Sequence, residues 1–281
     1  MSNIYKDITT DEERALFGIT NAQIINCRFD GPADGESAMK ETEDLEIDGC
    51  YFNLRYPIWH SKNTTISNCE MTEKCRAALW YDEKITVENC KLHGPKVLRD
   101  CNDVKILNCD IVSDEFAWKC NNLTIENSTI ESVYPFFMSS NVHLKNCKIK
   151  AKYIFQYSEN CVLENCEIET KDAFWECSNA KLVNCKVSSE YVAWHSYGAE
   201  FINCNIIGTQ PFCYCTGLVL NNCSMENCDL AFERSIVDVD VVGRINSIRG
   251  PIKGTIKANE IGEILPSSSG EDELEATVII K

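Results

Sequence analysis

Residues Val104–Ile111 have the sequence Val-Lys-Ile-Leu-Asn-Cys-Asp-Ile, in which apolar and polar residues alternate on both sides of an Asn-Cys pair. The same pattern returns at Leu123–Ile130 and, after an equal interval, again at Val142–Ile149. Alternation with a period of two is typical of short strands that bury one face. These stretches therefore predict half-buried strands that recur at a fixed interval.

The Asn-Cys pair marks this repeat along most of the chain. From Cys50 to Cys223 the sequence number advances by 19 at every step except one of 21, and the first step, from Cys27, is 23. A period near 20 indicates a solenoid, but the leucine consensus of leucine-rich repeats is missing, and ankyrin or tetratricopeptide repeats need about 33 or 34 residues. The pattern therefore predicts an all-β, single-stranded parallel β-helix with coils of about 19 residues, right-handed as parallel β connections usually are. The pairs are Asn26-Cys27, Asn68-Cys69, Asn89-Cys90, Asn108-Cys109, Asn146-Cys147, Asn165-Cys166, Asn184-Cys185, Asn203-Cys204 and Asn222-Cys223, with Gly49-Cys50 and Asn127-Ser128 in the gaps.

Two rows of residues mark the corners of the coil. The row six residues before the cysteine contains Asn, Asp and Gly, which tolerate a left-handed backbone, with Lys84 as its exception. The Asn before each cysteine forms the second corner, where its amide can bond to the next coil. The cysteine and the apolar residue two positions later share parity, so we expect both to lie inside. The first row comprises Asn63, Asp103, Asn122, Asn141, Asn160, Asn179, Gly198 and Gly217.

The 18 cysteines follow the same repeat. Ten occupy the Asn-Cys position, and four more, Cys101, Cys120, Cys177 and Cys215, lie in a second row eleven residues later. A buried thiol packs as a small apolar side chain, whereas zinc needs four converging ligands, which a linear ladder does not provide. Stacked cysteines also point the same way, which suits the disulfide dihedral poorly. We therefore expect packed free thiols, no metal, no cofactor and a reducing compartment, the cytoplasm.

The composition narrows the class of partner. A formal charge of -16 and a pI near 4.7 argue against nucleic acid or an anionic membrane surface, because both are polyanions. No apolar run approaches the ~20 residues of a transmembrane helix, and residues 1–7 lack the basic and apolar regions of a secretory signal. We therefore expect a soluble protein that binds neither nucleic acid nor membrane.

The coil repeat and the C-terminal tail together resemble a known family. The tail, Gly243–Ala258, has the sequence GRINSIRGPIKGTIKA. Together with the Asn-Cys coils it is similar to an uncharacterised bacterial domain-of-unknown-function family in the pectin-lyase-like β-helix superfamily, and the resemblance covers nearly the whole chain. The resemblance implies a right-handed β-helix and carries over no catalytic residue.

The row nine residues after the cysteine contains all five tryptophans. The row before it is wholly apolar, and the row after it is mixed. Neighbouring rows of a strand face opposite sides, so this sheet is apolar on both faces, and its outer row must be covered or must bind something. The tryptophan row comprises Trp59, Trp80, Arg99, Trp118, Phe137, Gln156, Trp175, Trp194, Cys213 and Phe232. The row after it comprises His60, Tyr81, Asp100, Lys119, Met138, Tyr157, Glu176, His195, Tyr214 and Glu233.

The orientation of the two apolar rows stays open in the sequence. Arg99 and Gln156 interrupt the tryptophan row, which favours tryptophan outside, whereas the polar row after it favours the opposite parity unless the strand bends there. The tryptophan row could be a strip that stacks sugar rings at about 4.8 Å spacing, a homo-oligomer interface, or a core stack shielded by a terminal segment. The ligand-binding candidates are Trp59, Trp80, Trp118, Trp175, Trp194, Tyr81, Tyr157 and Tyr214.

Charged residues beside the aromatic row are the candidates for catalysis. Glycosidases place two carboxyls about 5 to 9.5 Å apart, which is one to two coils, and either of two groups could support acid–base chemistry. A solvated rim is the simpler interpretation of both. The sequence contains no Gly-His-Gly, Asp-Asp or Arg-x-Pro-x-x-Arg signature, so pectin chemistry is not indicated, and whether the protein is an enzyme stays open. The candidates are His60, Arg99, Asp100 and Lys119 in one group, and Glu176 and His195, with Asp172 nearby, in the other.

The ends of the chain depart from the repeat. Residues 10–13, Thr-Asp-Glu-Glu, fit a capping box, so we expect a short helix over Thr10–Phe17 that closes the open N-terminal coil. The prediction is one domain, 1–281, with an N-terminal cap at 1–20, coils at 21–235 and a C-terminal β cap at 236–281. Within that cap we expect an acidic loop at Pro266–Glu273 and a last strand at Ala276–Ile280.

Three functional hypotheses follow from these patterns. The first is a carbohydrate-binding or carbohydrate-processing β-helix that uses the aromatic face, with a saccharide as partner. The second is a non-catalytic scaffold or homo-oligomer that uses that face as core or protein interface. The third is a metal or redox protein based on the cysteines, against which their packing rows argue.

Overall fold

The structure of the protein is a computed structural model that describes residues 2–268 and 276–281. The chain forms two compact units, Met1–His143 and Leu144–Lys281. Each consists of short parallel strands that stack coil on coil, and the described residues contain a single helical element, a 3-10 turn at Glu73–Cys75. Within those ranges no helix has the length and apolar character needed to cross a membrane.

The strands are short and follow one another at the interval of the sequence repeat. Up to the boundary between the units they are β1 (Asn3–Lys6), β2 (Thr9–Thr10), β3 (Thr20–Ile25), β4 (Arg28–Phe29), β5 (Met39–Lys40), β6 (Glu43–Asp48), β7 (Tyr51–Phe52), β8 (Ile58–Trp59), β9 (Lys62–Ser67), β10 (Glu70–Met71), β11 (Leu79–Trp80), β12 (Glu83–Glu88), β13 (Lys91–His93), β14 (Leu98–Arg99), β15 (Asn102–Leu107), β16 (Asp110–Val112), β17 (Asn121–Glu126), β18 (Thr129–Ser132) and β19 (Ser140–Lys145). The remaining strands are β20 (Lys148–Ala151), β21 (Tyr153–Ile154), β22 (Glu159–Glu164), β23 (Glu167–Ala173), β24 (Ser178–Val183), β25 (Lys186–Val192), β26 (Glu200–Ile202), β27 (Asn205–Ile207), β28 (Thr216–Glu226), β29 (Ile236–Val241), β30 (Arg244–Arg249), β31 (Lys253–Ala258), β32 (Glu260–Leu265) and β33 (Thr277–Ile280).

The strand pairing follows the sequence repeat. In the first unit Val104 pairs with Leu123, so the stretches that define the repeat lie side by side on neighbouring coils. In the second unit Leu163 pairs with Leu182 across the same interval. The predicted all-β parallel β-helix is therefore confirmed. The first unit stacks β1-β3-β6-β9-β12-β15-β17, β2-β4-β7-β10-β13-β16-β18 and β5-β8-β11-β14, and the second stacks β22-β24-β26-β28-β29-β31-β33 and β20-β23-β25-β27-β28.

The cysteine row lines the core, as its parity predicts. Cys166 is 3% exposed, its thiol donates to the carbonyl of Glu164 at 3.3 Å, and its own N–H donates to Sγ of Cys185 at 3.4 Å. Where Ser128 replaces the cysteine, its Oγ accepts the N–H of Cys109 at 3.0 Å in the same way. All 18 cysteines are buried and free, so the thiols both fill space and bond to the backbone.

Both predicted corners have a left-handed backbone. The φ angle is 53° at Asn184 in the row before the cysteines, 55° at Asn179 in the other row, and 58° even at the exception, Lys84. The amide of Asn184 donates to Oδ1 of Asn165 at 3.2 Å and accepts from Nδ2 of Asn203 at 3.2 Å. An asparagine ladder therefore joins successive coils at this corner.

The helix predicted over Thr10–Phe17 does not form, and this prediction is wrong. Thr10 ends strand β2, and its Oγ1 accepts the N–H of Glu12 at 3.3 Å, as a capping residue would. The following backbone turns toward the next coil instead, and the N–H of Leu16 donates to the carbonyl of Ala38 at 2.8 Å. The N-terminal residues thus form another turn of the stack, because the next coil accepts alternate backbone N–H groups of this segment, those of Arg14, Leu16 and Gly18.

The C-terminal region forms the predicted short strands, but they continue the parallel stack. Ile236 pairs with Lys253 and Thr255 with Thr277, so coils of unequal length replace the regular repeat. The last strand, Thr277–Ile280, begins one residue after the predicted start. Residues 269–273 of the predicted acidic loop lie outside the described residues.

Candidate functional site

The tryptophan row lies on the outer face of each unit. Leu79 and Phe174, in the row before it, have no exposed surface and belong to the core. Trp80 and Trp175, one residue later in the chain, are half-buried. The tryptophans therefore cover the outside of a sheet whose inside is packed with aliphatic and phenyl side chains.

A bend explains why the rows do not alternate as in a straight strand. Phe174 and Glu176, on the two sides of Trp175, have φ angles of 59° and 49°. The residue after the tryptophan is left-handed in other coils as well, as at Tyr81 with φ of 61°, whereas Leu79 before Trp80 is not. Because the chain turns directly after the tryptophan, the residue that follows reaches solvent together with the indole.

In the first unit the outward side chains form one continuous ladder. The rings of Trp59 and Trp80 stack with centroids 5.3 Å apart and planes 6° from parallel. The guanidinium carbon of Arg99 lies 5.1 Å from the ring centroids of both Trp80 and Trp118, and Phe137 lies 5.0 Å beyond Trp118. A flat cation on an aromatic face is favourable, so Arg99 takes the place of a ring in the ladder.

The second unit has a shorter ladder with a different flank. Trp175 and Trp194 stack at 5.5 Å with planes 23° apart. His195 lies 5.5 Å from Trp175 and stacks on Tyr214 at 4.7 Å with planes 6° apart. The structure thus brings together Trp175, Trp194, His195 and Tyr214, which the sequence pattern placed in two adjacent rows.

Most of the indole N–H groups are already bonded within the chain. Each donates to a backbone carbonyl of the following coil, at 2.6 to 2.9 Å. The ring faces are also covered by their neighbours. These indoles therefore mainly cover the sheet and leave little surface for a ligand. The bonds run from Trp59 to Ala77, from Trp80 to Lys96, from Trp118 to Tyr134 and from Trp194 to Gln210.

The row after the tryptophans carries the more accessible aromatic rings. In the first unit His60 is exposed and stacks on Tyr81 at 4.9 Å with planes 10° apart. Tyr81 is 44% exposed, and Tyr157 in the second unit is 46% exposed. These rings project beyond the indole ladder and are the first surface that a ligand would meet.

The charged candidates of the first unit are held apart from one another or paired internally. Arg99 Nε lies 3.3 Å from a carboxylate oxygen of Asp100, and Arg99 Nη1 lies 3.5 Å from Glu115. Lys119 in the first unit and Glu176 in the second are exposed, and neither forms an ion pair within the described part of the chain. Packing and pairing therefore explain the position of Arg99 without a reaction.

The coil that follows Cys215 is one residue longer than the regular repeat, so the predicted alignment of its rows is shifted by one residue. The coil contains one extra residue, because the N–H of Cys215 donates to Oγ of Ser235, 20 positions later. Phe232 consequently joins the core row, stacked on Phe212 at 5.9 Å. Glu233 takes the place assigned to Phe232, and it is 8% exposed. The predicted placement of these two residues is therefore wrong.

A third column of the outer face lies three residues before the tryptophans, and the sequence analysis named only Asp172 from it. Its tyrosines touch the indoles: the rings of Tyr56 and Trp59 are 5.1 Å apart, and those of Tyr191 and Trp194 are 5.0 Å apart. Aligning the repeats at this position would have revealed the column. It reads Tyr56, Ala77, Lys96, Glu115, Tyr134, Tyr153, Asp172, Tyr191 and Gln210.

Asp172 stands in this column with a tyrosine paired to it on each side. Its strand partners are Tyr153 and Tyr191. Oδ1 is buried and has no hydrogen-bond partner within the described residues. Burial raises the pKa of this carboxyl, the charge of Glu190 adds to the rise, and Lys171 opposes it. Asp172 is thus a partly desolvated carboxyl on an aromatic surface.

The described residues contain no cluster suited to a metal ion. No group of three or more His, Cys, Asp or Glu side chains converges among residues 2–268 and 276–281. The cysteine ladders are linear, and burial raises the pKa of the Cys75 thiol to about 12. Thiolate ligands are therefore disfavoured there.

Comparison with known proteins places the chain in a family and a fold. The model of the family described as protein of unknown function (DUF3737) matches residues 3–279. Among curated protein sequences none matches this chain.

Two solved structures share the fold at low sequence identity. The tailspike protein of E. coli bacteriophage HK620, a mutant solved in complex with a hexasaccharide, is 10% identical with a TM-score of 0.51. The match covers 92% of this chain and 61% of the tailspike, so the chain spans about three fifths of that protein's length. PfbA, a surface adhesin of Streptococcus pneumoniae, is 9% identical with a TM-score of 0.53, over 93% of this chain and 83% of the adhesin.

Proposed function

This chain belongs to the DUF3737 family of proteins of unknown function, and we propose that it binds saccharides along its outer aromatic face. One observation carries the proposal: solvent-facing stacked rings lie beside the tryptophan ladders, His60 on Tyr81 in the first unit and His195 on Tyr214 in the second. A row of accessible rings on a half-buried apolar surface is typical of a binding site. The fold likeness to the tailspike adds only that β-helices of this kind exist in saccharide complexes.

The two kinds of aromatic residue have different roles in this proposal. The stacked indoles, such as Trp59 on Trp80, form a rigid apolar base. Tyr81, at 44% exposure, and Tyr157, at 46%, provide the rings that contact the C–H faces of the sugar. Their hydroxyls can also exchange hydrogen bonds with the sugar.

Glycan-array binding of the wild-type chain, with Tyr81→Ala and Tyr157→Ala, tests the proposal. We expect at least one class of saccharide to bind and each variant to weaken that binding by about tenfold. The control is Tyr51→Ala, because Tyr51 lies in β7, outside the β5-β8-β11-β14 sheet, with the Arg28 guanidinium 4.0 Å from its ring centroid. Absence of glycan binding by the wild-type chain would refute the proposal, and so would binding that is unaffected in both variants.

The second candidate is a non-catalytic scaffold or homo-oligomer that uses the same face as a protein interface. The self-contained indole ladders favour it, since their N–H groups are bonded within the chain, and Met138 is 50% exposed beside them. Sedimentation separates the two candidates. A dimer that Met138→Glu dissociates, in a protein that binds no glycan, would replace the first candidate with the second.

The proposal includes a reducing compartment, the cytoplasm, as the place where the protein works. All 18 cysteines are free thiols packed in ladders, and such chemistry suits a reducing environment. Alkylation of the unfolded chain after rapid isolation from cells should label every cysteine. Disulfide-linked cysteines in the isolated protein would contradict it.

A further inference from the structure

Two polar groups on the outer face of the second unit lack the partners that equivalent residues have in other coils. One is the indole N–H of Trp175, and the other is Oδ1 of Asp172, three residues earlier. Tyrosine and tryptophan side chains at these two positions touch in other coils, as Tyr191 and Trp194 do at 5.0 Å. The two unpartnered groups therefore belong to one small patch.

The indole N–H of Trp175 lacks the acceptor that its equivalents use. In the coils of Trp80, Trp118 and Trp194 the indole donates to the carbonyl 16 residues later, as Trp194 does to Gln210 at 2.6 Å. For Trp175 that carbonyl belongs to Tyr191, and it accepts the hydroxyl of Ser189 at 2.7 Å. No acceptor for the Trp175 N–H is present among the residues that the structure describes. The donor is thus left directed to the half-exposed surface.

The free carboxyl of Asp172 is best understood by comparison with Glu115, which has the same position in its own coil. The Glu115 carboxylate lies 3.5 Å from Arg99 Nη1 and 3.4 Å from Lys96 Nζ. Asp172 makes no ion pair in the described part of the chain, although Lys171 directly precedes it in the sequence. An unpaired, partly buried carboxyl destabilises a protein, which a purely structural position would not require.

We propose that Asp172 and the N–H of Trp175 together anchor hydroxyl groups of a neutral saccharide. This inference rests on the proposed function and locates one ligand subsite within it. A sugar hydroxyl both donates and accepts, so adjacent hydroxyls can donate to Asp172 and accept from Trp175. The rings of Tyr153 and Tyr191, which neighbour Asp172 along the column, provide apolar walls.

The charge around the patch selects against acidic sugars. Glu190 lies close enough to Asp172 to perturb it, and Glu176 directly follows Trp175. Lys171 and Lys152 are the cations near the carboxyl, and the chain as a whole carries a charge of -16. A uronate or phosphate would bring further negative charge to this patch, so a neutral, hydroxyl-rich glycan fits it better.

Calorimetric titration with defined probes tests the inference. The neutral probes are maltohexaose, cellohexaose and xylohexaose, and the acidic probe is trigalacturonic acid. For the neutral probe that binds, we expect Trp175→Phe, which deletes the N–H and keeps a ring, and Asp172→Ala each to raise Kd on the order of tenfold. Tyr51→Phe is the control, because Tyr51 lies in β7, outside the aromatic face, and the change likewise deletes one polar hydrogen and keeps a ring; its Kd should stay at the wild-type value.

Each outcome decides between the subsite and the wider proposal. If Tyr157→Ala weakens binding while Asp172→Ala and Trp175→Phe do not, the subsite is wrong and saccharide binding stands. Binding of trigalacturonic acid alone overturns the neutral-sugar assignment only. A wild-type chain that binds no probe overturns both. A ligand-free measurement adds a check, since Trp194→Phe should lower the melting temperature and Trp175→Phe should not.

Discussion

The indole rings of Trp59 and Trp80 lie face to face, 5.3 Å apart and 6° from parallel, although they belong to successive coils of the chain. The stack is the visible consequence of coil-on-coil register, which places equivalent residues above one another. Arg99 extends it, since its guanidinium is flat and lies 5.1 Å from the Trp80 centroid. A polar residue within an aromatic row is therefore part of the ladder when its side chain is planar.

Replacement of Arg99 by alanine should destabilise the first unit. The side chain is 22% exposed and lies between two indoles, so we expect a loss of about 1 to 2 kcal/mol in the free energy of unfolding. Arg99→Lys should recover only part of it, because an ammonium keeps the charge but not the plane. Urea titration followed by tryptophan fluorescence measures the change.

The control for this prediction is an arginine that forms only a solvent-exposed ion pair. Arg244 pairs with Glu260 at 2.6 Å on the surface, both about half exposed, so Arg244→Ala should change stability by less than about 1 kcal/mol. Equal effects of the two substitutions would mean that the indole sandwich contributes nothing.

Replacement of Asp82 should stabilise the protein at neutral pH. Asp82 is 1% exposed, accepts the N–H of Ser61 at 2.7 Å through Oδ1, and leaves Oδ2 unpartnered. Other coils have Ser139 or Ser158 at this position. Asp82→Ser removes a buried carboxyl and keeps an acceptor, so we expect a gain of about 1 to 3 kcal/mol at pH 7.

The pH dependence of this gain has a definite sign. Burial raises the pKa of Asp82 well above its usual value, so the folded chain holds that proton more tightly than the unfolded chain, where the pKa is about 3.9. The Asp82 carboxyl therefore weakens the fold progressively as pH rises above about 4. The advantage of Asp82→Asn, of the same shape and never charged, should be smaller at pH 4 than at pH 7. A gain that is independent of pH would contradict the buried-charge explanation.

The sequence predicted the parts of the fold that depend on local residue type. Alternation around Asn108-Cys109 predicted the strands, the regular step between Asn-Cys pairs predicted their register, and the asparagines predicted the left-handed corners. The helix over Thr10–Phe17 was wrong for a reason outside that segment. A capping box describes one helix end, whereas the neighbouring coil accepts the backbone N–H groups of Arg14, Leu16 and Gly18.

The candidate site was only partly predictable because its decisive contacts depend on neighbours one coil away. The residue after each tryptophan reaches solvent because its backbone is left-handed, and Glu176 or Tyr81 gives no local signal for that backbone. The indole N–H of Trp194 donates to Gln210 on the following coil, whereas that of Trp175 has no such bond. This difference arises between stacked coils and cannot be read from a single repeat.

Substitutions of Asn184 should separate two contributions of the asparagine ladder to stability, the left-handed backbone conformation and the side-chain hydrogen bonds. Asn184 has φ of 53° and bonds through its amide to Asn165 and Asn203. Asn184→Ala loses both bonds and strains the left-handed backbone, for an expected loss of about 2 kcal/mol or more. Asn184→Gly loses the same bonds without the strain, so thermal unfolding should place it between alanine and wild type. A glycine variant no more stable than alanine would show that the corner conformation carries no strain.

The thiols should be unreactive while the protein is folded. Burial raises the pKa of Cys75, Cys213 and Cys228 to about 12, so at pH 8 almost none of these groups is the reactive thiolate. All 18 thiols are also buried, so a colorimetric disulfide reagent should react slowly with the native chain, at a rate that rises with urea, and should titrate 18 thiols in the unfolded chain. A model thiol at the same pH is the control for reagent activity. Fast reaction of any cysteine in the native chain would mean that its coil opens readily, because the folded ladder gives the reagent no path to sulfur.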